Sequence, residues 1–272
     1  MDIKKAFPIL EFDEQSKPVV TADKYVPMFA DQGCDRCVIT YFSDVVDNLE
    51  RIYRVNQVFK IRTEGVRPRV YYMPTKTEAG SKAKGKTGVY VVPMPIGAPQ
   101  AARVVETLVA VGVTKFMVCG GAGSLYHDLD ANKTLLPVSA VRDEGTSYHY
   151  LAPSREVGLN PKVEEIIERV LKRENEPYEK VKTWSTDGIF RETAEKVKLR
   201  ISEGCGCVEM ECATFYAVAE YMKKRNPKFM LGQILYAGDV VATDKWDYRD
   251  WHAKLEPREK LFELATKCLL DF

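Results

Sequence analysis

The sequence predicts an α/β fold: three layers, with a mainly parallel central sheet flanked by helices. Two observations carry this. Short apolar, β-branched runs alternate along the chain with amphipathic helical patterns. Several runs are apolar at successive positions, the mark of strands buried on both faces. The chain has 272 residues, 45% of them apolar, enough for one full core, and no linker-like stretch divides it. Residues 1–36 read as an N-terminal extension and residues 37–272 as a single domain.

In chain order, strands are expected at CVITYF (37–42), VYVVPM (89–94), KFMVCG (115–120), TLLPVSAV (134–141), GCVEM (206–210) and FMLGQILYA (229–237). Between them lie helical patterns. In 98–111, Ala101, Val104, Val105, Leu108 and Val109 recur at helical spacing. Residues 161–174 follow Asn160-Pro161, a capping residue and then proline in the first turn. Further helices are expected over 190–202, 211–225 and 255–270. The polar, Lys- and Gly-rich stretch 75–88 reads as a hairpin or exposed loop.

Composition removes several function classes. Forty basic residues nearly balance thirty-nine acidic ones, for a formal charge of +1. That gives no reason to expect nucleic acid or a membrane surface as partner. The N-terminus lacks a signal-like apolar core, and no apolar run approaches a membrane span, so a cytoplasmic protein is expected. Cys34 and Cys37 form C-x-x-C, and Cys205 and Cys207 form C-x-C. Their spacing is wrong for a standard zinc site, so the seven cysteines read as reduced, mostly buried thiols, with no metal.

Sheets of this kind bind ligands where their strands stop. Four segments there carry chemistry. In KFMVCGGAGSL (115–125) a strand is expected to end in Gly120-Gly121-Ala122-Gly123, whose backbone would offer close approach and N–H groups to an anion or a sugar oxygen. In GCVEMECATFYAVAEY (206–221) a strand runs into Glu209-Met210-Glu211 and then an apolar helix. The acids there are either helix N-terminal charges or ligands for vicinal hydroxyls. In FMLGQILYAGDVVATDKWDY (229–248) a strand is expected to end at Gly238-Asp239, where the acid either caps a helix or is catalytic. In SAVRDEGTSYHYLAP (139–153) a strand leads into a polar, aromatic loop containing Arg142 and His149, a binding candidate.

Taken in order, these segments resemble the nucleoside phosphorylase superfamily, which includes purine and uridine phosphorylases and the nucleosidases acting on methylthioadenosine. The similarity spans roughly residues 37–270. VEMECATFYAVA (208–219) is very similar to the family's ribose-binding signature, and STDGIFRET (185–193), with Phe190, falls where the family has its base-facing loop. The resemblance implies that Glu211 holds the ribose hydroxyls, that Met210 packs on the sugar, and that Asp239 meets N7 of a purine leaving base. Glu209, Gly121, Phe190, Arg142 and His149 are carried with them as substrate-binding candidates. The 142–153 loop looks closer to the uridine branch. Asp239 weighs slightly more, because it bears on leaving-group chemistry.

The expected activity is therefore cleavage of a ribonucleoside's N-glycosidic bond, with phosphorolysis slightly favoured. A hydrolytic nucleosidase and a catalytically silent nucleoside-binding protein stay open. No cofactor is implied; inorganic phosphate is the candidate co-substrate. The sequence departs from the family's phosphate ligands. The early Gly-Asp-Pro-x-Arg turn is replaced by Phe42-Ser43-Asp44-Val45-Val46-Asp47, an arginine by Val118, and a Ser or Thr by Gly121. Gly120, Gly123, Asp44 and Asp47 thus mark a region for water or phosphate, with Arg62, Arg142 or a neighbouring subunit as a source of positive charge. The resemblance also implies a homo-oligomer, a dimer or hexamer, with Phe7 reaching a neighbour's site.

Overall fold

Long apolar runs need sheet neighbours on both sides, and here the sheet bends round to supply them. The structure is a computed structural model; it describes residues 4–14, 16–26, 33–52, 54–75, 88–127, 129, 133–242, 245–249 and 255–272. Nearly all of the polar stretch 75–88 lies outside the described residues. The strands are β1 (Arg36–Thr40), β2 (Asn56–Lys60), β3 (Arg69–Met73), β4 (Val89–Pro93), β5 (Lys115–Ser124), β6 (Thr134–Asp143), β7 (Glu156–Gly158), β8 (Tyr178–Thr186), β9 (Cys205–Glu209), β10 (Met230–Val241) and β11 (Trp246–Asp247). Strands β5, β9, β8, β6 and β10 pair in that order, and β10 pairs back onto β5, closing a ring. From β5 the sheet continues outward through β1, β4 and β3 to β2. The long registers, β5 with β10 and β6 with β8, are parallel, as are β1 with β4 and β5 and β8 with β9. Antiparallel pairings are shorter; they close the ring or trim the edges.

Six helices are described: α1 (Ser43–Arg51), α2 (Ala98–Ala110), α3 (Pro161–Arg173), α4 (Ala194–Ser202), α5 (Cys212–Arg225) and α6 (Leu255–Leu270). α2 packs on α5, while α6 covers β5, β1 and β10 with α1 and α3 against it. Both sheet surfaces are therefore apolar, and Val38, Ile39, Val91 and Val118 are fully buried. Each such side chain contributes roughly 1.5–3 kcal/mol on leaving water. Helix starts follow local chemistry. Asn160 accepts from the Lys162 N–H at 3.0 Å ahead of Pro161. The helix expected over 190–202 begins only at Ala194, because Thr193 caps it, and a 3-10 turn at Ile189–Arg191 precedes it.

Two expectations about strand ends are corrected. β5 does not stop at Gly120; it runs on through Ser124. Gly120 and Gly121 lie in register with Leu235 and Tyr236, and Gly123 with Val208. Neighbouring strands thus hold the glycines extended despite their weak strand preference. Likewise β10 runs to Val241, and Gly238-Asp239 sit in a register irregularity between Ala237 and Val240 rather than after the strand. Such a bulge re-aims a side chain.

The first residues bind to this body. Arg103 of α2 lies over the Tyr25 ring, Glu14 pairs with Lys224 at 2.6 Å, and Phe7 is exposed. All seven cysteines are buried free thiols. No helix among the described residues is long and apolar enough to cross a membrane.

Candidate active site

The first part of the candidate site is built by the junction of β9 and α5. Glu209 ends the strand, and Glu211 stands at the N-cap of α5. Glu209 is engaged from all sides. Its carboxylate accepts from Ser185 Oγ at 2.5 Å, from the backbone N–H groups of Glu211 and Cys212 at 2.8 and 2.7 Å, and from Thr183 at 3.4 Å. This corrects its assignment as a substrate ligand: it secures the first turn of α5, the helix-terminal alternative left open by the sequence.

Glu211 is only 4% exposed, yet its side chain makes no cap bond. Its Oε1 accepts the Gly97 N–H at 2.6 Å. Gly97 has φ +122°, a backbone suited to glycine, and it begins α2. The Tyr41 hydroxyl lies close to the same carboxylate. Burial, and then the charge of Glu209, push the Glu211 carboxyl up to about 8; the Gly97 N–H and Tyr41 act against that rise. Met210, between the two acids, is half-buried.

The second part is built on β10. Asp239, on the bulge, is half-buried, and its Oδ2 accepts the Trp246 Nε1–H at 2.6 Å. Its Oδ1 lies 3.2 Å from where a Cβ on Gly123 would stand. Gly123 pairs with Val208, the residue before Glu209. Three residues earlier, a Cβ on Gly120 would meet the Tyr41 ring at 2.8 Å. Asp239 thus neighbours Gly123, and Glu211 is joined to Gly120 through Tyr41, so both acids relate to the second half of β5. The glycines serve there chiefly as missing side chains, in place of the free anion-binding turn expected from the sequence.

Beside that end lies a basic group the sequence reading missed. Arg258, from α6, is buried and forms an ion pair with Asp44 at the start of α1. Its guanidinium stands 6.0 Å from the centre of the Phe42 ring and beside the Tyr236 hydroxyl. The Tyr236 ring in turn covers Gly121. Asp44 is thus joined to the glycine segment through Arg258 and Tyr236. Asp47 is exposed on α1 and lies in the field of Arg69.

Other candidates go elsewhere. Arg142 is buried, and its guanidinium clasps its own loop. It donates to Ser147 Oγ, Ser154 Oγ and the carbonyls of Leu151 and Ala152, and stacks on Tyr148 at 4.2 Å. Four of its five N–H donors are spent inside the loop, so the structure gives Arg142 a loop-holding role. His149 is exposed and lines a cleft on the outer side of α2 with Tyr25, Arg103 and Glu106. Phe190 projects from the 3-10 turn with 94% of its surface exposed. Arg62 is exposed, and its carbonyl accepts from Arg103.

A ringed, mainly parallel sheet wrapped by helices defines a class of α/β fold. Residues 38–250 match the model of the phosphorylase superfamily. The chain belongs to this family, the nucleoside phosphorylase superfamily. A guanosine phosphorylase from Halorubrum lacusprofundi is 33% identical over 126 residues, 46% of this chain and 52% of that protein. The chain thus matches about half the length of that curated relative. Among solved structures, uridine phosphorylase from Vibrio fischeri superposes with a TM-score of 0.67 at 19% identity, covering 93% of this chain and 97% of that one. AMP nucleosidase from Bacteroides thetaiotaomicron gives 0.66 at 18%, covering 91% and 94%. Futalosine hydrolase of Helicobacter pylori gives 0.62 at 18%, covering 88% and 98%. At these identities the likeness is one of fold.

Proposed function

We propose that the chain cleaves a purine ribonucleoside by phosphorolysis, releasing the free base and ribose 1-phosphate. The observation that carries this is the placing of two carboxylates along the second half of β5, Glu211 by way of Tyr41 and Gly120, Asp239 beside Gly123. Breaking the C–N bond puts positive charge on the ribose and negative charge on the base. Glu211, ionised, accepts hydrogen bonds from the ribose hydroxyls and fixes the sugar's pose. Asp239 faces the base, where an acidic partner to a ring nitrogen suits a purine. The guanosine phosphorylase relative supports both the purine and the phosphate.

Phosphate needs positive charge near C1′. Arg258 is the buried arginine that reaches the glycine strand, through Tyr236, and it takes the place of the arginines this sequence lacks. Asp44 favours a second reading. Its carboxylate already neutralises Arg258, and an ion pair attracts a dianion less than a lone cation does. With Asp44 left in place, water is the better nucleophile, and the product is free ribose.

One experiment separates these readings. Guanosine, inosine, adenosine and uridine are incubated with the protein, with and without phosphate. Phosphorolysis gives ribose 1-phosphate from purines only when phosphate is present. Free ribose formed equally without phosphate marks the hydrolase. No turnover of any nucleoside refutes both and leaves a nucleoside binder.

A further inference from the structure

Ser185 opens the segment that resembles the family's base-facing loop, yet its hydroxyl serves the junction of β9 and α5. It is fully buried near the end of β8, in register with Glu209 on β9. Its Oγ donates to Glu209 Oε1 at 2.5 Å and accepts the Ala213 N–H at 2.9 Å. The other Glu209 oxygen, Oε2, accepts the N–H groups of Glu211 and Cys212 at 2.8 and 2.7 Å. Three successive N–H groups at the start of α5 are thus taken by two side chains from adjacent strands. A residue at the N-cap ordinarily gives its own side-chain acceptor to the free N–H groups of the first turn. A carboxylate there is drawn back further by the positive end of the helix. Glu211 occupies that position and makes no such bond. Its Oε1 accepts the Gly97 N–H at 2.6 Å instead. The Cys212 and Ala213 N–H groups already have acceptors, so Glu211 gains little by folding back.

We propose that Ser185 and Glu209 cap α5 in place of Glu211, and so hold the Glu211 carboxylate toward Gly97, where it is available to the ribose hydroxyls. Ser185 is then a positioning residue, acting on the sugar through Glu211 without touching it. The step from Glu211 to the ribose rests on the nucleoside-cleaving reading. The exchange of caps does not.

The test uses Ser185→Ala, which takes the acceptor from the Ala213 N–H and a donor from Glu209. A crystal structure of the ligand-free variant is expected to show the Glu211 carboxylate on the Ala213 N–H and off Gly97. Glu211 still on Gly97 overturns the proposal. Kinetics give the second readout. KM for a ribonucleoside is expected to rise about tenfold, the size of a hydrogen bond to a charged group, while KM for its 2′,3′-dideoxy analogue barely moves. An equal rise for both substrates, or none for either, makes Ser185 a merely structural residue and also overturns the proposal. Ser185→Cys, with a weaker acceptor in the same place, is expected to fall between wild type and Ser185→Ala. If Ser185→Ala does not fold, the same two measurements on Ser185→Cys decide with the same outcomes. If wild type cleaves no nucleoside, the functional reading falls, and the crystal structure still decides whether Glu211 is released by the exchange of caps.

Discussion

The two ends of the site are made differently. At the sugar end, backbone does the holding. The Gly97 N–H fixes Glu211, and two N–H groups of α5 fix Glu209, in a region with almost no solvent access. At the base end, side chains do it. Asp239 sits on a bulge, half-buried, held by one indole. Backbone groups are placed by the sheet and helices and barely move. Side chains on a bulge can be exchanged without disturbing the frame. Under the proposed reading, the first region is the fixed one that takes the ribose and the second the adjustable one that takes the base.

Four outcomes would sharpen or break this contrast. The largest effect is expected from Glu211→Gln. Losing charge-assisted hydrogen bonds to two hydroxyls is worth about 3–4 kcal/mol, or roughly 10²–10³ in kcat/KM. Steady-state kinetics on ribonucleosides and their 2′-deoxy analogues would check it, and the deoxy substrates should suffer less. Next, Arg258→Met is expected to raise KM for phosphate by about 10²-fold while KM for nucleoside moves little. Equal changes in both would remove Arg258 from the nucleophile side. Third, pH acts through Glu211. Its carboxyl sits near 8 in the empty site, and sugar hydroxyls need the ionised form. Nucleoside affinity should therefore rise roughly tenfold per unit from pH 6 to 7 and flatten above 8, with a proton released on binding, as calorimetry in two buffers would detect. A flat profile would mean that Glu211 binds as a neutral acid. The smallest effect is expected from Gly123→Ala. Its Cβ would stand 2.8 Å from Val241 and 3.2 Å from Asp239. Overpacking of this kind costs about 1–3 kcal/mol in stability, and activity should fall only severalfold because Asp239 can yield. A loss as large as that of Glu211→Gln would show the base end to be as rigid as the sugar end.

Much of the frame was legible because it is written locally. The cap at Asn160, the apolar stripe of α2 and the apolar run of α5 sit within a few residues of the elements they control, whereas the cap at Thr193 was missed and α4 expected too early. β8 was not, since Tyr178, Lys180 and Lys182 break its apolar run while neighbours on both sides still hold it as a strand. Nor were β2 and β3, short strands beside an edge. Glu211 stood out through the run into an apolar helix, but its partner Gly97 lies 114 residues away. The Arg258–Asp44 pair spans 214 residues, so no local pattern announces it. Arg142 looked like a ligand because charge is visible in a sequence and carbonyl acceptors are not.

Closure of the strand ring has one more effect. β5 is bonded to β1, β9 and β10, so it cannot slide against the strands that carry either acid without breaking ladder bonds. The ring therefore sets the places of the strands carrying both acids before any ligand arrives.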